Sequence, residues 1–131
     1  MTPTKTISTI KETTLMIANA LSERKADDVM VLDLRNISTI ADYFIIASGK
    51  STTHIQALSR IVAETTVHHP LDMLKSPIRK PANFDSGWIL LDYRSVIIHL
   101  FEPEKRRYYD LERLWGDARQ IFDVRKNYVR K

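Results

Sequence analysis

Cysteine is absent from the 131-residue chain, and glycine occurs only three times. Without a thiol there is no disulfide scaffold, no thiolate zinc site and no cysteine nucleophile, and the chain suits a reducing compartment. No stretch approaches the ~20 consecutive apolar residues of a membrane-spanning helix. The opening MTPTKTISTIKE has no apolar signal core and no arginine precedes Arg24, so the expected location is the cytoplasm, with no membrane partner. One domain is expected at this length. A composition 44% hydrophobic and 27% charged is that of a globular protein with a core of its own.

An excess of one charge is also missing from most of the chain. The net charge is +4, yet residues 1–118 carry fifteen basic and fifteen acidic side chains. All of the surplus lies in residues 119–131, where Arg119, Arg125, Lys126, Arg130 and Lys131 are set against Asp123 alone. The sequence therefore reads as a neutral domain, 1–118, and a basic C-terminal tail, 119–131. A nucleic-acid reader normally concentrates its surplus on one face of the fold, whereas a tail adds salt-sensitive attraction to RNA-rich partners.

Ile7, Ile10, Leu15, Ile17, Ala18 and Leu21 recur at three- and four-residue spacings, and Thr9 with Glu12 offers a capping box. These predict a first helix ending near Lys25. Residues 29–34 (VMVLDL) and 43–47 (YFIIA) are short apolar runs that read as buried strands. Thr53 to Gln56 repeats the capping pattern, Ile55, Leu58, Ile61 and Val62 set a second helix, and Pro70 stops it near His68. Residues 70–87 hold three prolines and Gly87, leaving room for one short edge strand at 71–74. Residues 88–93 (WILLDY) and 96–101 (VIIHLF), separated by Arg94-Ser95, predict an antiparallel hairpin. Pro103 opens a terminal helix reaching Trp115, with Gly116 as its cap. The fold class is α/β: one domain, a mixed sheet, two main helices chiefly on one face, and a parallel crossover after the second strand.

A two-residue loop sorts the hairpin into faces. Ile89, Leu91, Tyr93, Val96, Ile98 and Leu100 share an apolar side. Trp88, Leu90, Asp92, Ile97, His99 and Phe101 share the other, where a carboxylate and an imidazole among large apolar groups predict an exposed partner surface. Arg94-Ser95 is poor chemistry for a tight turn, which favours glycine or asparagine at positive φ.

The catalytic motifs are weak. Gly49-Lys50-Ser51 resembles the end of a phosphate loop, but Phe44 stands where that motif needs glycine. Adjacent His68 and His69 would point about 100° apart on a helix and cannot share a metal. His99 reads as a satisfied or interface histidine, and Asp110 as readily a helix cap as part of a carboxylate set with Asp92 and Glu112. No metal, cofactor or catalytic residue is expected.

The blocks 42–51 (DYFIIASGKS), 88–93 (WILLDY), 96–101 (VIIHLF) and 108–115 (YYDLERLW), in this order, resemble the Iojap-related ribosomal silencing factor family over roughly residues 7–118. The resemblance implies a nucleotidyltransferase-like fold without the catalytic carboxylates. It implies a non-enzymatic factor that binds ribosomal protein fourteen of the large subunit, blocks docking of the small subunit and represses translation under nutrient limitation. Carried over by position, the partner-binding residues are Trp88, Leu90, Asp92 and His99 on the sheet with Tyr109, Leu111, Glu112, Leu114 and Trp115 in the closing segment; Leu114 and Trp115 serve equally well as core plugs. A homodimer of the free factor and contact of the tail with ribosomal RNA stay open. Arg94-Ser95, Thr52-Thr53 and the proline-rich 70–87 depart from the family pattern. The competing reading is a small metal-dependent nucleotidyltransferase or phosphotransferase using the Gly49 loop and Asp92, and a third is an RNA-binding module acting through the tail.

Overall fold

A computed structural model describes residues 3–67, 78–80, 87–123 and 128–129. The long first helix, α1 (Pro3–Glu23), leads into β1 (Asp27–Asp33) and β2 (Tyr43–Ser48), followed by the second long helix, α2 (Thr52–Thr66). A three-residue strand, β3 (Ile78–Lys80), precedes the hairpin of β4 (Trp88–Asp92) and β5 (Val96–Phe101). Two short helices, α3 (Pro103–Tyr109) and α4 (Leu111–Leu114), are followed by β6 (Arg119–Asp123) and β7 (Tyr128–Val129).

The strands form one seven-stranded sheet in the order β3-β4-β5-β2-β1-β6-β7. Only β2 and β5 run parallel, with α2 in the crossover between them; every other neighbouring pair is antiparallel. That is the mixed sheet the element order predicts.

Strand alternation splits the interior in two. On one face, Val29, Val31, Tyr43, Ile45, Ile89, Leu91, Ile98 and Leu100 pack beneath Ile17, Ala18 and Leu21 of α1 and Ile55, Leu58 and Val62 of α2. On the other, Met30, Leu32, Phe44, Ile46, Ile97 and Phe101 form a smaller cluster. Both long helices thus serve the same face.

Four local expectations are corrected. The helix α1 starts at Pro3, so Thr9 and Glu12 lie inside it and form no cap. The cap of α2 is Ser51, whose Oγ accepts from the His54 N–H at 3.1 Å, one residue ahead of the helix and two ahead of the expected Thr53. The terminal helix is broken at Asp110, which takes a left-handed conformation (φ 50°, ψ 52°) and separates α3 from α4; α4 ends at Leu114, and Gly116 has no positive φ to act as the expected cap. Residues 119–123, assigned to the basic tail, form β6 and pair with β1, burying Ile121 and Phe122. Apolar Ile121 and Phe122 were masked by the charge run around them. The expected strand at 71–74 and the His68-His69 pair lie outside the described residues.

Candidate functional site

The hairpin register is the expected one: Trp88 opposes Phe101, Leu90 opposes His99 and Asp92 opposes Ile97. The turn that fixes it has an unusual route. Arg94 sits at φ 73°, the Ser95 N–H donates to the Tyr93 carbonyl at 2.9 Å, and the Asp92 carboxylate accepts from the Arg94 N–H at 2.7 Å. This is γ-turn bonding, with Asp92 supplying the acceptor that holds a residue other than glycine in place. The Ser95 carbonyl in turn accepts from Asp42 and Tyr43 at the head of β2, locking the turn to the sheet. Asp92 is thereby committed to the turn.

The expectation of an exposed second face is corrected. Ile97, His99 and Phe101 are buried, and Trp88, Leu90 and Asp92 are half-buried. The reason is the helix break at Asp110, which lets α4 fold back so that Leu111, Trp115 and Ala118 pack on this cluster. An aromatic network results. Phe44 meets His99 at 4.7 Å and Trp115 at 5.5 Å, both edge-on; Trp88 stacks on His99 at 5.9 Å and on Phe101 at 5.2 Å. Tyr109 lies against Trp88 at 4.7 Å, and Tyr108 stands edge-on to Tyr109 at 5.1 Å. Offset and edge-on rings of this spacing add attraction beyond burial alone.

His99 has little contact with solvent. Its Nδ1 accepts from the Trp88 indole N–H at 3.3 Å, so Nε2 carries the proton, and Nε2 has no partner among the described residues. Burial among rings pushes its pKa down to about 4, so the ring is neutral near pH 7. His99 holds Trp88 in place and cannot itself meet a partner.

Glu112 is likewise turned inward, toward a residue the sequence reading did not single out. The Arg106 guanidinium is buried, and its Nε donates to Glu112 at 3.2 Å. Its Nη1 donates to the Ser48 hydroxyl at 2.9 Å and to the Asp27 carbonyl at 3.4 Å. A cavity of about 280 Å³ beside it is lined by Ser48, Asp28, Pro103, Arg106, Arg107, Asp110 and Glu112. Arg106 therefore ties α3 and α4 to the ends of β1 and β2. Nothing in EKRR marks one arginine of a charged run as buried.

Of the nine site residues, Leu114 and Tyr109 remain on the surface, 72% and 44% exposed. Trp88, Leu90, Leu111 and Trp115 are half-buried and pack on the second-face cluster, with Tyr109 against Trp88. Trp115 thus acts in part as a core plug and Leu114 does not. The Ser48 hydroxyl accepts from the Arg106 guanidinium, and His99 has its one acceptor nitrogen occupied by the Trp88 indole N–H. Among the described residues, no group of three or more His, Cys, Asp or Glu stands close enough to hold a metal ion. Gly49 serves packing: a Cβ there would come within 2.7 Å of the Ile55 side chain.

The fold and site define a single-domain mixed α/β protein with an aromatic patch on the sheet face opposite its long helices. Residues 7–131 match the family described as "Ribosomal silencing factor during starvation". The chain belongs to this family. It is 36% identical over 102 residues to the ribosomal silencing factor RsfS of Bacillus subtilis, covering 77% of this chain and 82% of that one. It is 34% identical over 101 residues to "Mitochondrial assembly of ribosomal large subunit protein 1" of Mus musculus, covering 76% of this chain and 43% of that one. A crystal structure of a Chromobacterium violaceum protein superposes with a TM-score of 0.71 at 28% identity, covering 82% of this chain and 86% of that one. Family membership supports a role in ribosome silencing, with translation regulation and ribosome association as its setting. The family match extends past residue 118 into the segment that forms β6.

Proposed function

We propose that this protein binds ribosomal protein fourteen of the large ribosomal subunit through the aromatic patch, and that its bulk then keeps the small subunit from joining, which represses translation under nutrient limitation. The observation that carries the reading is the patch itself. Exposed Tyr109 lies against half-buried Trp88, which packs with Leu90, Leu111 and Trp115 on one cluster, and exposed Leu114 borders Tyr109, an apolar and aromatic surface of the kind that anchors protein interfaces. Tyr109, Leu114, Trp88, Leu90, Leu111 and Trp115 supply the contact; Asp92, His99 and Glu112 hold the turn, the Trp88 ring and the closing segment in position. No catalytic step is required, because occupancy alone blocks the joining surface.

Mixing the purified protein with separated ribosomal subunits tests the reading. The protein should sediment with the large subunit and not with the small one, and Leu114→Ala should lower the bound fraction without shifting the melting temperature. Sedimentation with the small subunit alone, or turnover of nucleotide that disappears in Asp92→Asn, would refute it.

A further inference from the structure

The outer side of α3 and α4 carries a second feature, which borders the proposed contact at Tyr109 and Leu114 and adds Tyr108, Arg107 and Arg113, none of which that contact uses. Tyr108 is 79% exposed, yet its ring rests edge-on against Tyr109 at 5.1 Å, and Tyr109 rests on Trp88, which stacks on Phe101 in the core. A run of four rings therefore leads from the interior to the surface and ends in an aromatic face open to solvent. Around it lies a cleft of about 590 Å³ lined by Arg107, Tyr108, Tyr109, Asp110, Arg113 and Leu114. Arg107 and Arg113 are exposed and make no ion pair among the described residues. Two free guanidinium groups beside a supported, open ring match the two needs of an unpaired nucleotide: charge for the phosphates and a flat surface for the base.

We infer that this cleft binds a single-stranded RNA segment, with Tyr108 stacked on a base and Arg107 and Arg113 on the flanking phosphates. The inference rests on the ribosomal reading above, since a ribosome is built of RNA as well as protein. Asp110, also in the cleft, accepts hydrogen bonds from a base amino group or a ribose hydroxyl, and the two arginines leave the lining net positive. The cleft side chains belong to α3 and α4, which Arg106 fixes to the sheet.

The test is fluorescence anisotropy of a labelled eight-nucleotide oligouridine with the full chain at low salt. Tyr108→Ala should weaken binding on the order of tenfold and Tyr108→Phe should restore it, since stacking needs the ring and not the hydroxyl. Arg107→Gln with Arg113→Gln should flatten the dependence of log affinity on log salt by roughly 1.4, two contacts at about 0.7 each on a single strand. Replacing Arg125, Lys126, Arg130 and Lys131 by glutamine should leave the effect of Tyr108→Ala intact. Three outcomes overturn the inference: affinity unchanged in the cleft variants, affinity lost only with the tail substitutions, or no RNA affinity while Tyr108→Ala weakens large-subunit sedimentation, which would make the cleft a protein contact. Loss of large-subunit sedimentation in Leu90→Ala, a residue outside the cleft lining, is read separately and bears on the docking proposal.

Discussion

His99 shows how a single side chain is given its role by its surroundings. Enclosed by Phe44, Trp88 and Phe101, it takes a pKa of about 4 in the folded protein against 6.5 in the unfolded chain, because the rings exclude the water that would solvate its cation. The unfolded chain therefore binds the proton first as pH falls. Stability from this residue is fully present above pH 6.5 and is lost on descending toward pH 4, with a total of about 3 kcal/mol at 1.36 kcal/mol per unit. Denaturant titrations at several pH values should show this loss in the parent protein and a flatter profile in His99→Phe. Trp88 is half-buried on the same rings, so Trp88→Ala should both lower large-subunit binding and destabilise the fold. Ile89→Ala, fully buried on the opposite face, should cost about 2–5 kcal/mol through the cavity it leaves, without altering binding per folded molecule.

The closing segment and the hairpin turn carry the predictions that belong to elements. Arg106 bonds to Glu112, Ser48 and the Asp27 carbonyl, so it joins α3 and α4 to two strands through one buried charge. Arg106→Ala leaves the Glu112 carboxylate without its cation and should cost about 3 kcal/mol, visible as a lower melting temperature and faster proteolysis within residues 103–118. At the hairpin, Arg94 holds φ 73° where glycine meets no steric penalty. Arg94→Gly should raise stability by roughly 0.5–1 kcal/mol in thermal unfolding, because the Asp92 hydrogen bond to residue 94 uses only its backbone N–H. The strand β6 is a further element with its own dependence on context, since Ile121 and Phe122 are buried where β6 pairs with β1.

At the scale of the whole molecule, inhibition by occupancy makes the order of addition decisive. A compact chain of this length has a radius of gyration of about 14 Å, enough to fill one contact between subunits when bound beside it. Added to free subunits, the protein should reduce formation of whole ribosomes in proportion to the large subunits it occupies, as read by gradient sedimentation. Added to joined ribosomes, it should do little until they dissociate. Equal inhibition in both orders, or inhibition by amounts far below the subunit concentration, would contradict steric blocking. Salt should weaken attachment of the patch only moderately, since Trp88, Leu90, Tyr109 and Leu114 carry no charge.

Apolar patterning in the sequence determined the two long helices, the four apolar strands and the hairpin register, because each is written locally, as a repeat of 3.6 or 2 residues or as a short continuous apolar run. The hairpin faces followed from its two-residue loop, and Asp92 preserved that loop against unfavourable turn residues by capping Arg94. The family blocks in 42–51, 88–101 and 108–115 were equally legible. What covers the second face was not, since burial of His99, Ile97 and Phe101 depends on a reversal at Asp110 that only a left-handed backbone provides, and nothing in a run of helix-compatible residues announces it. Arg106 was concealed for the same reason: a long-range partner set at Ser48, Asp27 and Glu112 turns one surface-type residue inward. Residues 119–123 read as tail because charge is counted along the chain, whereas their place in the sheet is decided by the unpaired edge of β1 that tertiary structure brings to them.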